Sequence, residues 1–344
     1  MGGELYKERY KLAPHMREYD EFHFVPCPYL MYRAMPNYTS PVISADKYGL
    51  RRSTTGDGSM ISGADISNLP KVNVVLGGSA AFGWGATGDS KTIASALNRL
   101  DPGTPWINLG GCTYQTLQEA ISLLMYVPPE KIGQLVMFSG VNAAFLTLFE
   151  TYADANIPFF FKFSEYWNPI VEHEERKQAE PLGGVRNAIR NILGKPSRKT
   201  GLPPSPYAVT EKDPAKRLAA GMERAERDLM TLTAIARGFG FQLTYFFQPC
   251  LVEGSKTLSR EEREIISILD SMYKDNNPMR RLGEVVPFMA ERLKQTCAKQ
   301  GVGFYDLRDG FTGPEWLYVD RVHLTDLGYE RAAGLIHERI KNGK

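Results

Sequence analysis

The stretch Val72-Asn-Val-Val-Leu-Gly-Gly-Ser-Ala-Ala-Phe-Gly-Trp-Gly-Ala86 constrains this chain more than any other. Its start is a short apolar run rich in β-branched residues. Such a run reads as a strand buried on both faces, the kind found in parallel sheets. Gly77 and Gly78 follow, then Ser79. Small residues let the backbone turn sharply and leave the hydroxyl at the strand's carboxyl end, where open α/β sheets hold their ligands. A serine placed there either holds a phosphate or acts as a nucleophile. The run is not in register for GxGxxG and contains no GK[ST], so the nucleotide reading is weak.

From residue 72 the chain alternates between strand-like and helix-like segments. Strands are expected at 72–77, 106–109, 135–138, 241–247 and 302–306. Helices are expected near 90–100, 114–126, 213–237, 259–272 and 281–299. A last helix follows Thr325, with Ala332, Leu335, Ile336 and Ile340 at helical spacing. Asp213 as N-cap and Pro214 at the first helical position mark one start; Gly238 and Gly240 mark its end. Strands separated by helices predict an α/β fold with a five-stranded, mainly parallel sheet and right-handed crossovers. Residues 1–70, punctuated by prolines, read as an arm packed on a main domain of residues 71–344. Within that domain 150–212 is an insertion, too long for a plain connection.

Parallel strands bring their carboxyl ends to one edge of a sheet. Gly77-Gly-Ser79, Asn108-Leu-Gly-Gly111 and Ser139-Gly-Val-Asn142 each follow a predicted strand and so converge there. Asp320-Arg-Val-His323, in the loop beyond the fifth strand, can reach them. An Asp three residues before a His can set its carboxylate against the imidazole, leaving the other ring nitrogen to take a proton from a serine. That possibility favours the nucleophile reading of Ser79. His15, His23, His173 and His337 lack such context and read as structural or surface residues. Asp306 and Asp309 read as turn or capping residues, and Cys112 as a small packing residue.

In order and content these blocks resemble the SGNH hydrolase superfamily, the GDSL-like esterases. Asp320-x-x-His323 with the following Leu-Thr-Asp-Leu-Gly-Tyr matches the family's last block, and Gly140-x-Asn142 matches its third, with Ala143 in place of the family's Asp. Gly77-Gly78-Ser79 stands for Gly-Asp-Ser. The family's Asn-x-Gly-x-x-Gly would end at Thr113; Gly110 or Gly111 is the alternative, and Gly111 is favoured. The resemblance covers 72–144 and 300–340. It implies a flavodoxin-like three-layer α/β/α fold. It also implies a catalytic set of Ser79, His323 and Asp320, and oxyanion donors at the Ser79 N–H, the Gly111 N–H and the Asn142 amide.

The implied activity is that of a serine esterase, or an O-acyltransferase sharing the same site. It would act through an acyl-enzyme on an O-acyl ester of a small polar molecule or sugar, and no metal or organic cofactor is implied. The rival reading is a catalytically silent carbohydrate- or partner-binding module, motivated by Ala143 and the altered second block. In the insertion, the aromatic patch with Phe160, Phe161 and Trp167 is expected to pack on the core or to wall a substrate pocket. A net charge of +2 in 344 residues gives no footprint for nucleic acid. No apolar run spans a bilayer, and the polar N-terminus does not read as a signal peptide. Four scattered cysteines without a CxxC pair fit a reducing, cytoplasmic compartment.

Overall fold

The computed structural model describes residues 2–150, 211–272 and 277–342. Phe160, Phe161, Trp167 and nearly all of the 150–212 insertion lie outside the described residues. The chain begins with helices α1 (Gly2–Leu12) and α2 (Met16–Asp20), then an antiparallel hairpin of β1 (Phe24–Cys27) and β2 (Met31–Ala34). A second small pair joins β3 (Ser53–Thr54) to β4 (Met60–Ile61). Between the pairs, Asp46 accepts the backbone N–H groups of Tyr48 and Leu50 at 2.8 and 2.9 Å, closing a turn. Gly49 completes that turn with φ +73°; a Cβ there would lie 2.2 Å from the Ala34 carbonyl oxygen.

The central sheet holds β5 (Val72–Gly77), β6 (Trp106–Gly110), β7 (Ile132–Ser139), β8 (Gln242–Phe247) and β9 (Gly303–Asp306). Its order is β6-β5-β7-β8-β9, and every pair is parallel. The helices between these strands are α3 (Ser79–Phe82), α4 (Ile93–Leu100), α5 (Thr116–Tyr126), α6 (Val141–Leu146), α7 (Pro214–Phe239), α8 (Arg260–Met272) and α9 (Val286–Lys299), and α10 (Asp326–Asn342) follows the last strand. Alternation along β5 feeds two cores. Val74 and Leu76 pack with Leu123, Leu229 and Met289 of α5, α7 and α9. Val75 packs with Leu97 of α4 and Ile336 of α10 on the other face. The result is the expected three-layer α/β/α arrangement. Because β5 lies between β6 and β7, the crossovers diverge at its carboxyl end, where such sheets open a ligand crevice.

Local chemistry sets the helix ends. Asp213 accepts the Ala215 N–H at 2.9 Å, Pro214 follows, and Gly240 closes α7 with φ +74°. Thr325 caps α10 through the Gly328 N–H at 3.2 Å. The helix expected over 281–299 is broken: a 3-10 turn covers Pro278–Glu284, and α9 starts only at Val286. Pro287 lacks an N–H and suits a first turn, so it resets the start.

Gly110 ends β6 directly beneath α3. A Cβ there would stand 2.0 Å from the Phe82 backbone nitrogen. Gly110→Ala must therefore lift α3 off the sheet, with an expected loss of about 2 kcal/mol or more. Urea unfolding checks this, and an unchanged midpoint would contradict the close packing of α3 on β6.

Candidate active site

Ser79 opens α3 immediately beyond β5. Asn108 of β6 braces this short helix, its side-chain amide donating to the carbonyls of Ala81 and Phe82 at 3.1 and 3.2 Å. The Ser79 Oγ is 2.7 Å from His323 Nε2. On the far side of the ring, His323 Nδ1 is 2.7 Å from Asp320 Oδ2. The carboxylate can only accept there, so Nδ1 carries the proton and Nε2 is left to accept from the serine.

The three-residue spacing makes this possible. Asp320 Oδ1 accepts the backbone N–H groups of Val322 and His323, both at 2.8 Å, so one oxygen closes the turn while the other holds the ring. Arg9 of α1 adds a third support: its guanidinium pairs with Asp20 at 2.9 Å and stands 3.8 Å from Asp320 Oδ2. Burial pushes the Asp320 carboxyl up, but His323, Arg9 and the Val322 amide outweigh it and bring it down to about 2.

Trp84 lies against His323, ring centres 5.9 Å apart. Its loop is pinned from several directions. Tyr19 donates to the carbonyls of Gly83 and Ala86 at 2.9 and 2.7 Å, and Tyr329 donates to that of Trp84 at 2.6 Å. His15 Nε2 donates to the Gly85 carbonyl at 2.9 Å, a structural role. The Arg51 side chain is fully buried; it reaches the Gly83 carbonyl at 2.9 Å and pairs with Asp89 at 2.8 Å. Arg9, Tyr19, Arg51 and Trp84 were not singled out in the sequence. Trp84 sits within the glycine run, but nothing local marks the other three.

Asn142, near the start of α6, comes against the nucleophile turn. Its Nδ2 would be 2.6 Å from a Cβ on Gly78, so glycine at 78 admits it. One amide hydrogen goes to the Tyr114 carbonyl at 2.9 Å, and among the described residues the other has no acceptor. Gly111 does not fit its expected role. Its N–H donates to the Gly77 carbonyl at 3.0 Å, joining the ends of β5 and β6, and the Tyr114 ring covers its Cα. Thr113 adopts left-handed backbone with φ +60°, at the position where the family pattern carries glycine. Cys112 is buried in the core, and Asp306 caps the turn after β9 by accepting the Arg308 N–H at 3.1 Å. All four cysteines are free thiols. Among the described residues no three His, Cys, Asp or Glu side chains gather as for a metal, and no helix is long and apolar enough to cross a membrane.

The parallel sheet order, the placement of the blocks and the Asp320–His323–Ser79 contacts agree in kind with the family pattern. The chain resembles the SGNH hydrolases. No family model matches the sequence, and no curated protein does. Solved structures do match. An acetyl xylan esterase aligns at 10% identity over 78% of this chain and 98% of its own, with a TM-score of 0.43. A lipase/acylhydrolase from Enterococcus faecalis aligns at 15% identity over 79% and 96%, with a TM-score of 0.40. Est24, a carbohydrate acetylesterase from Sinorhizobium meliloti, aligns at 10% identity over 80% and 100%, with a TM-score of 0.41.

Behind the Ser139–Asn142 turn lies a buried acid. Ser139 Oγ donates to Glu119 at 2.6 Å, and burial pushes the Glu119 carboxyl up to about 8, with Asp228 adding to the rise against the Ser139 bond. In the unfolded chain this carboxyl ionises near 4.5. The folded state binds the extra proton between those values, so this contribution to stability is full below pH 4.5 and is lost as pH rises through 8. Glu119→Gln cannot ionise. It is expected to flatten the fall in urea midpoint across that interval, and a slope identical to that of the wild type would contradict the buried neutral acid.

Proposed function

We propose that the chain is a serine ester hydrolase that works through an acyl-enzyme on Ser79. The observation that carries this reading is the unbroken line from Asp320 through His323 to Ser79, with both links at 2.7 Å. Ser79 Oγ attacks the acyl carbon of an O-acyl ester while His323 Nε2 takes its proton. Asp320, held ionised, fixes the ring tautomer and stabilises the imidazolium that forms. As the tetrahedral adduct collapses, His323 returns the proton to the departing alcohol oxygen. Water, activated by the same nitrogen, then releases the acid. If a bound alcohol takes the place of water, the same steps make the protein an O-acyltransferase. The resemblance favours an ester of a sugar or another small polar molecule.

The oxyanion that develops on the carbonyl oxygen needs donors fixed beforehand. The Ser79 N–H and the second hydrogen of the Asn142 amide are two. With the Gly111 N–H engaged by Gly77, we assign the third to the Thr113 N–H, supported by its left-handed backbone and its position in the block.

Hydrolysis of short-chain acyl esters tests the reading. Ser79→Ala and His323→Ala are each expected to lower kcat by about a thousandfold or more. Asn142→Ala should lower it by about a hundredfold or more with KM little changed, as for a donor that acts mainly on the transition state. Activity retained in Ser79→Ala would overturn the proposal and favour the binding-module reading.

A further inference from the structure

The turn that carries Asn142 pivots on a glycine. Ser139 ends β7, Asn142 is the second residue of α6, and Gly140 between them has φ +109°. Glycine permits that backbone but offers no side chain to fix it. α5 and the residues just before it grip the chain on both sides of this pivot. Before it, Glu119 of α5 accepts the Ser139 hydroxyl at 2.6 Å. Beyond it, Gln115, the N-cap of α5, donates from Nε2 to the Asn142 carbonyl at 3.4 Å, and the Tyr114 carbonyl accepts from Asn142 Nδ2. We propose that Glu119 is a positioning residue for the Asn142 amide, acting through the Ser139 hydroxyl. The assignment rests on the ester-hydrolase reading above, with Asn142 as an oxyanion donor.

The sheet alone does not fix the end of β7 from both sides. On one side β5 pairs no farther along β7 than Phe138. On the other, β8 pairs with Ser139, and the Gln248 N–H donates to the Ser139 carbonyl at 3.0 Å. β8 also crowds the pivot: a Cβ on Gly140 would stand 2.5 Å from the Phe247 ring and 3.1 Å from the Tyr245 hydroxyl. The link that ties the Ser139 side chain to a helix is the one to Glu119. Gln115 and Glu119 are one helical turn apart, so they share a face. Two points on that face thus hold the chain before and after the glycine, and the amide between them is aimed.

Energetics separate this role from a purely structural one. Glu119 is fully buried, and its Oε2 has no hydrogen-bond partner among the described residues. A buried carboxyl with an unsatisfied oxygen costs stability relative to an apolar side chain of similar size. Leucine would serve packing better at this position. What leucine cannot supply is an acceptor for the Ser139 hydroxyl. An oxyanion donor held off its proper line weakens the transition state more than the bound substrate, so the loss falls on kcat.

Steady-state hydrolysis of ethyl acetate tests the assignment. Ser139→Ala and Glu119→Leu are each expected to lower kcat by about tenfold or more, with KM changed by less than about twofold. Glu119→Gln keeps an acceptor for Ser139 and should recover most of that loss. Ser139→Ala made on the Asn142→Ala background should cost less than about twofold further, because the donor that it aims is already gone. A merely structural role would lower both backgrounds alike. The double variant Glu119→Leu/Ser139→Ala removes both partners and leaves neither orphaned. It should stay folded by urea unfolding and still show the loss of kcat. Equal losses with and without Asn142, a change confined to KM, or full kcat in the folded double variant would overturn the assignment. Absence of Ser79-dependent hydrolysis in the wild type would instead overturn the hydrolase reading, and this role with it.

Discussion

One carboxylate holds the candidate site together. Asp320 divides its two oxygens between the amides of its own turn and the imidazole of His323. The ring can then point only one nitrogen at Ser79. A carboxylate that lost its charge would release both the turn and the tautomer. Partly buried, it stays ionised because three kinds of partner face it: an imidazole, a guanidinium and backbone N–H groups. Coulomb attraction and charge-assisted hydrogen bonds here outweigh desolvation.

The sheet supplies the rest of the alignment. β5 delivers Ser79, β6 delivers Asn108 and the turn after it, and β7 delivers Asn142, all at one edge because the strands are parallel. Close backbone approaches convert that rough convergence into contact. Gly78 admits the Asn142 amide, and Gly110 admits α3 onto the sheet. The N-terminal segment adds a second layer of support. Arg51 and Tyr19 bind the carbonyls of the loop beyond α3, while Arg9 reaches Asp320 itself. The described part of residues 1–70 therefore helps build the site as well as covering the core beneath it.

Much of this was legible in the sequence. The strands showed because parallel strands are apolar on both faces, and the α7 boundaries showed because Asp213, Pro214 and Gly240 have local reasons for their places. Ser79, Asn142, Asp320 and His323 could be grouped because each follows a strand or completes a short-range turn. The engagement of the Gly111 N–H by Gly77 was not legible. Position 111 requires glycine because the Tyr114 ring packs over its Cα, and its N–H bonds to Gly77; both contacts are matters of tertiary packing. Thr113 adopts a left-handed conformation that its side chain does not advertise. Arg9 and Arg51 carry no local sequence signal because partners such as Asp320 and Asp89 lie far along the chain. The start of α9 differs from the expectation because helical periodicity runs through 281–299 while Pro287 resets the first turn.

The central claim is that Ser79 is an activated nucleophile. Reaction of the folded protein with a fluorophosphonate, followed by intact mass and peptide mapping, tests it most directly. The account predicts a single adduct on Ser79 that disappears in Ser79→Ala and in His323→Ala. A folded protein that takes no adduct, or takes it on another serine, would contradict it.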